Sequence, residues 1–185
     1  MKKLGKPVYL VAGYNTIAFG SGRKEFNPKK PMPTFETYLK EAVSGSLAQV
    51  KNPGAVDEAV ISNFMAARFL KQGNLAGFLP MLHPGLRYKP VTRVEGACGS
   101  GGMGLYTGVK TVAGGWAEAV LVVGFEVQNT VKAVYGADIL AGAGYYSKER
   151  KTGHAFFFPG QFSDRAGAYM KKYGTAEPRR ALAAW

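Results

Sequence analysis

Five consecutive apolar residues, Ala119-Val-Leu-Val-Val123, constrain the fold of this chain more than any other stretch. A strand that alternates apolar and polar residues needs cover on one face. A strand apolar at every position needs cover on both, the pattern of a central strand in a parallel sheet flanked by helices. Three other β-prone runs offer it neighbours: Val8-Tyr-Leu-Val-Ala12 ending at Gly13, Ala59-Val60-Ile61, and Val91-Thr-Arg-Val94. Helix patterns fall between them. Thr34 is an N-cap candidate for a helix reaching about Val50, in which Phe35, Leu39, Ala42, Val43, Leu47 and Val50 recur at helical spacing, and Asn52-Pro53-Gly54 stops it. Asn63 to about Leu82 reads as an irregular, partly helical crossover broken by His83-Pro84-Gly85. Residues 99–113 read as a helix closed by Gly114-Gly115. Strands alternating with helices predict an α/β layered fold with parallel pairing.

The character of the chain changes at Gln128. Residues 129–160 are rich in Gly, Ala and Tyr without a clear period, and carry a charged knot at Lys148-Glu-Arg-Lys151. A helix is expected from Gln161 to Lys172, with Phe162, Ala166, Tyr169, Met170 and Tyr173 on one side and Gly174 closing it. The expected organisation is an α/β domain over 1–128 and a loop-rich excursion over 129–185. A polar loop rich in Gly, Lys and Pro is expected over residues 20–33.

With 46% hydrophobic and 19% charged residues, the chain has the composition of a folded domain, not a disordered one. Its 24 Lys+Arg against 12 Asp+Glu leave a net charge of +12, which calls for an anionic partner or substrate. The excess is spread over both parts of the chain, unlike the clustered charge of a nucleic-acid arm, so no nucleic-acid partner is expected. Scattered contacts to a phosphate-bearing cofactor suit it better. One cysteine excludes an intramolecular disulfide framework, and no stretch approaches the roughly 20 apolar residues of a membrane span. A soluble cytoplasmic protein, with no membrane partner, is expected.

That cysteine is Cys98, in Val91-Thr-Arg-Val-Glu-Gly-Ala-Cys98-Gly-Ser-Gly-Gly-Met-Gly-Leu, where a strand meets a glycine-rich turn and a helix begins. Unpaired N–H groups and the positive end of the helix dipole at such a position favour a thiolate, the form that acts as nucleophile. Small neighbours let a carbonyl reach the sulfur, and the Cys98 amide can contribute to an oxyanion hole. The glycines lack the G-x-G-x-x-G spacing of a dinucleotide site, and Ser100 lacks the Gly-x-Ser-x-Gly frame of a hydrolase elbow. Glu126 lies at a strand end, where sites form in open α/β sheets, although a local structural carboxylate is the simpler reading. His83 and His154 are the two imidazoles; each reads as a surface or structural residue. No cluster has metal-ligand spacing, so no metal is expected.

Gly96-Ala-Cys-Gly-Ser-Gly-Gly102, a helix, and then Gly114-Gly-Trp-Ala-Glu-Ala-Val-Leu-Val-Val-Gly-Phe-Glu126 resemble the N-terminal half of thiolases. The Val-Gly-Phe-Glu form is similar to the branch related to sterol carrier protein thiolase domains. Phe158-Pro159-Gly160 and Ala168-Tyr-Met-Lys-Lys-Tyr-Gly-Thr175 resemble that branch's loop-domain segment, and Val56-Asp-Glu-Ala-Val-Ile61 falls in the expected order. The resemblance implies a thiolase-like fold: the N-terminal half, a layered mixed sheet with helices, plus part of the loop domain. It implies acyl-CoA C-acyltransferase chemistry, with Cys98 forming an acyl-enzyme and coenzyme A as substrate or product, and no covalently bound cofactor. Phe157 and Phe158 would lie near the acyl pocket, and basic residues of 129–185 would face the nucleotide phosphates.

The chain also departs from that family. The last strand of the first half and the whole second half, with its activating histidine and second cysteine, have no counterpart here. Pro178 falls where the family runs smoothly into a helix, and Gln161 and Asp164 are unusual for a buried helix face. The resemblance therefore implies a fragment or one subunit of a split enzyme, partnered by itself as a homo-oligomer or by a complementing C-terminal half. Two alternatives stand beside it: a non-catalytic thiolase-like subunit that binds acyl-CoA or another chain, and a ketosynthase-like condensing enzyme.

Overall fold

A computed structural model describes residues 5–17, 29–174 and 176–184. Most of the polar loop expected over 20–33 lies outside them. Two compact units divide the chain, Met1–Val127 and Gln128–Trp185.

In the first unit, helix α1 (Phe35–Leu47) starts where Thr34 Oγ1 accepts the Thr37 N–H at 3.4 Å. Its buried stripe is Leu39, Val43 and Leu47, three or four residues apart as a helix requires. Strand β1 (Glu58–Ser62) follows, then the short helices α2 (Ala66–Phe69) and α3 (Leu79–Leu82) and strand β2 (Val91–Val94). Helix α4 (Ser100–Ala113) and strand β3 (Val120–Gly124) complete the layer. Both strand pairs are parallel, in the order β2-β1-β3, with Ala59 opposite Val91 and Leu121 and Ile61 opposite Arg93 and Val123.

Strand periodicity separates two packing layers. Ala59, Ile61, Leu121 and Val123 join Leu39, Val43 and Leu47 of α1 in one core, to which Leu75, Leu79 and Leu86 of the crossover also belong. Ser62, Val120 and Val122 face α4, where they lie within contact distance of Gly104 and Gly108. The sheet is thus enclosed by α1 and α3 on one side and α4 on the other, as the parallel α/β expectation requires.

Two sequence readings are corrected here. The run Ala119–Val123 reads as a central strand, yet among the described residues β3 is an edge and β1 holds the centre. Apolarity on both faces reports helices above and below the sheet; it does not report strands to left and right. Val8–Ala12 forms no strand. Its residues belong to no regular element, and Tyr9, Leu10 and Val11 are exposed by 74, 82 and 77%. β-propensity orders no ladder without a neighbour to bond. The residues after it are fastened to α1 and the turn that follows it: the Tyr14 hydroxyl donates to Glu41 of α1 at 3.0 Å, and the Gln49 side-chain amide, just past the helix, donates to Gly13 O at 2.7 Å.

In the second unit, helix α5 (Ala133–Leu140) and the short α6 (Tyr146–Glu149) lie in the region without sequence period, followed by α7 (Phe157–Tyr173) and α8 (Ala176–Ala183). Arg150 ties α5 to this segment through Asp138 at 2.8 Å, which raises the guanidinium pKa further. α7 begins four residues before the expected Gln161, because Pro159 falls in its first turn, where a missing N–H costs no helical bond. The expected apolar face of α7 is not covered: Phe162, Tyr169 and Tyr173 are exposed, and Phe157 is its buried residue. No helix among the described residues is long and apolar enough to cross a membrane.

Candidate active site around Cys98

β2 delivers the chain to Glu95, and a 3-10 turn over Ala97–Gly99 leads directly into α4. Cys98 sits exposed on that turn, a free thiol at the N-terminal end of a 14-residue helix. The turn is tied from several sides. Gly99 N donates to Gly96 O at 2.8 Å, and the Ser100 hydroxyl donates to Ala97 O at 2.7 Å while accepting Gly96 N–H at 3.0 Å. The Glu95 carboxylate accepts the Ala97 N–H. Ala97 itself has φ +48°, left-handed backbone that a residue with a Cβ avoids.

The glycines around Cys98 do two different jobs. A Cβ on Gly96 would lie 2.6 Å from Met103 Cγ, and one on Gly104 would lie 3.0 Å from Val122 and 3.2 Å from Ser62, so these two let the helix seat closely. Gly99, Gly101 and Gly102 have no atom within 4 Å of where a Cβ would stand. Packing does not demand glycine there; the result is open space beside the sulfur. The Cys98 amide N–H has no hydrogen-bond partner among the described residues, which leaves it available to an incoming carbonyl oxygen.

The other singled-out residues have structural duties. Glu126 Oε2 accepts the amides of Phe64 and Met65 at 3.0 and 3.3 Å, the local role that the simpler sequence reading assigns it. His83 Nδ1 accepts the Gly85 N–H at 3.0 Å and closes the turn it begins. His154 Nε2 lies 2.8 Å from Asp164 Oδ2, and its ring occupies the space a Cβ on Gly160 would need. Phe157 and Phe158 meet edge to face at 5.0 Å, with Phe157 1% exposed and Phe158 half-buried. Cys98 lies in the first unit and this aromatic pair in the second. Among the described residues no group of three or more His, Cys, Asp or Glu could hold a metal ion.

One polar residue at the strand ends escaped the sequence reading. Asn63, 1% exposed, donates to Phe125 O and accepts the Ala66 N–H, both at 2.8 Å, and so joins the ends of β1 and β3 to α2. No local pattern marks it, because the N-cap position of α2 belongs to Met65, two residues further on.

A parallel sheet sandwiched by helices, with an exposed cysteine on a strand-to-helix turn among unfilled glycine positions, defines a parallel α/β protein. A sequence profile of the thiolase N-terminal domain matches residues 8–156, and the chain belongs to the thiolase family. It is 31% identical over 150 residues to an acetyl-CoA acetyltransferase of Methanothermobacter thermautotrophicus, covering 80% of this chain and 38% of that protein. It is 34% identical over 119 residues to an acetyl-CoA acetyltransferase of Methanocaldococcus jannaschii, covering 64% of this chain and 29% of that one. The chain thus spans well under half the length of these relatives.

Proposed function

We propose that this chain is the nucleophile-bearing part of a thiolase-type acyl-CoA C-acyltransferase. Cys98 attacks the thioester carbonyl of an acyl-CoA: the new S–C bond forms, the bond to the coenzyme A sulfur breaks, and coenzyme A departs as a thiolate that takes up a proton. The acyl group then returns to coenzyme A or passes to the carbanion of a second acyl-CoA. The observation that carries this reading is the placement of Cys98 on its turn at the start of α4, inside the stretch that the family profile matches. The open positions at Gly99, Gly101 and Gly102 give the thioester room, and the unpartnered Cys98 amide is one oxyanion donor. Phe158, the less buried of its pair, is the one with surface to offer an acyl chain. The positive charge of residues 129–185 serves the nucleotide phosphates.

His83 and His154 are committed elsewhere, so deprotonation of Cys98 and the second proton transfer fall to groups from a complementing C-terminal half. The chain by itself is therefore expected to turn over no substrate, and it functions as one part of a split or longer enzyme. Intact-mass analysis after incubation with acetyl-CoA tests this. One acetyl group on the native chain and none on Cys98→Ala, appearing or increasing when a C-terminal thiolase half is added, is the expected result. Absence of the adduct with and without that half would sink the acyl-enzyme reading and favour a binding subunit. Robust thiolysis by the isolated chain would overturn its dependence on a second half.

A further inference from the structure

The geometry points to Ser100 as the residue that positions Cys98, by holding Ala97 in its left-handed conformation; this deepens, and rests on, the acyl-transfer reading of Cys98. Ser100 is the first residue of α4 and only 7% exposed. Its hydroxyl spans the turn, giving its proton to Ala97 O at 2.7 Å and taking the Gly96 N–H at 3.0 Å. The two backbone groups it ties together bracket the Gly96–Ala97 peptide and its neighbour, the place where the chain reverses direction. Ala97 has φ +48° there.

A residue with a Cβ keeps such a conformation only where its surroundings over-determine it. The Glu95 carboxylate on the Ala97 N–H supplies part of that constraint, but from an exposed side chain. The buried Ser100 hydroxyl supplies the rest from the helix that carries the site. If Ala97 relaxed to negative φ, the direction of the chain into residue 98 would change. The thiol and the free Cys98 amide would then leave the helix end together. Ser100 touches neither substrate nor sulfur and acts through the turn.

The test uses the full chain and an acyl-free probe. Iodoacetamide alkylates a cysteine thiolate with loss of iodide, and the rate at Cys98 is read by mass spectrometry at neutral pH, with the urea-unfolded chain as reference. The native chain is expected to react faster than the unfolded one. Ser100→Ala is expected to lose about tenfold of that rate, the size of one buried hydrogen bond. Adding Ala97→Gly to Ser100→Ala is expected to restore most of it, because glycine holds positive φ without the hydroxyl's help. A serine serving only helix stability would change the melting temperature without that rescue. An unchanged rate in Ser100→Ala overturns the proposal, and so does a loss that Ala97→Gly leaves unrepaired. Should Ser100→Ala fail to fold, Ser100→Thr keeps the hydroxyl and is expected to keep the native rate; a tenfold loss in that folded variant overturns the proposal equally. No acyl-CoA enters the experiment, so its failure is distinguishable from failure of the acyl-transfer reading.

Discussion

Asp57 stands one residue before β1, and its Oδ2 accepts two backbone amides from the residues just before β3, Glu118 N at 2.8 Å and Ala119 N at 3.1 Å. Those two bonds, aided by Lys89, hold its carboxyl below the usual carboxylate range. A lowered folded-state pKa means the carboxylate contributes stability at neutral pH. That contribution is complete above the unfolded value of about 3.9 and fades as pH falls through the folded one. Asp57→Ala is expected to cost about 1–2 kcal/mol at pH 7, measured by urea unfolding. The difference from the native chain should shrink at pH 3, and a pH-independent difference would refute the assignment. At this scale the sequence is an uneven guide. Thr34 as N-cap and Cys98 on its turn are legible, because caps and glycine-rich turns are local patterns. The duties of Asp57, Asn63 and Ser100 are not, since each depends on where a distant strand or a reversed peptide brings its amide and carbonyl groups.

Helix α4 shows the same division along one element. Gly104 and Gly108 press on Ser62, Val120 and Val122, whereas Gly102, two residues nearer Cys98 than Gly104, faces open space. Gly102→Ala should raise helix propensity with nothing to obstruct it, stabilising the chain by up to about 1 kcal/mol. Gly104→Ala gains the same propensity but drives a methyl onto Val122 and Ser62 of the sheet, and a net loss of about 1 kcal/mol is expected. Thermal melts of the two variants should move in opposite directions; a shared rise would show that α4 shifts freely on the sheet. The glycines are equally visible in the sequence, and their opposite roles are not, because helix period alone does not say which side has a neighbour. The extents of β1, β2 and α1 were readable to within a few residues from run length and caps. β3's edge position and the unpaired Val8–Ala12 were not, since both depend on which strands stand beside them.

For the molecule as a whole, the combination of a β3 edge that is open among the described residues and the exposed Tyr9, Leu10 and Val11 leaves apolar surface and backbone bonding capacity uncovered in the first unit. Such features drive association. Sedimentation velocity is expected to show self-association that increases with concentration and weakens in Leu10→Lys. A monodisperse monomer across the accessible range would contradict this.

The parallel sheet also imposes an order in time. The link from β2 to β1 spans 34 residues at Thr92 and Glu58, whereas the clasp between Asp57 and Ala119 spans 62. A chain emerging from the ribosome can therefore join β1 to β2 while β3 is still unmade. α4 rests on Val120 and Val122 as well as on β1, so it has no complete seat until the chain has been synthesised through β3. The turn that bears Cys98 is translated well before the ground beneath it, and Cys98 is among the last parts of this layer to acquire a fixed address.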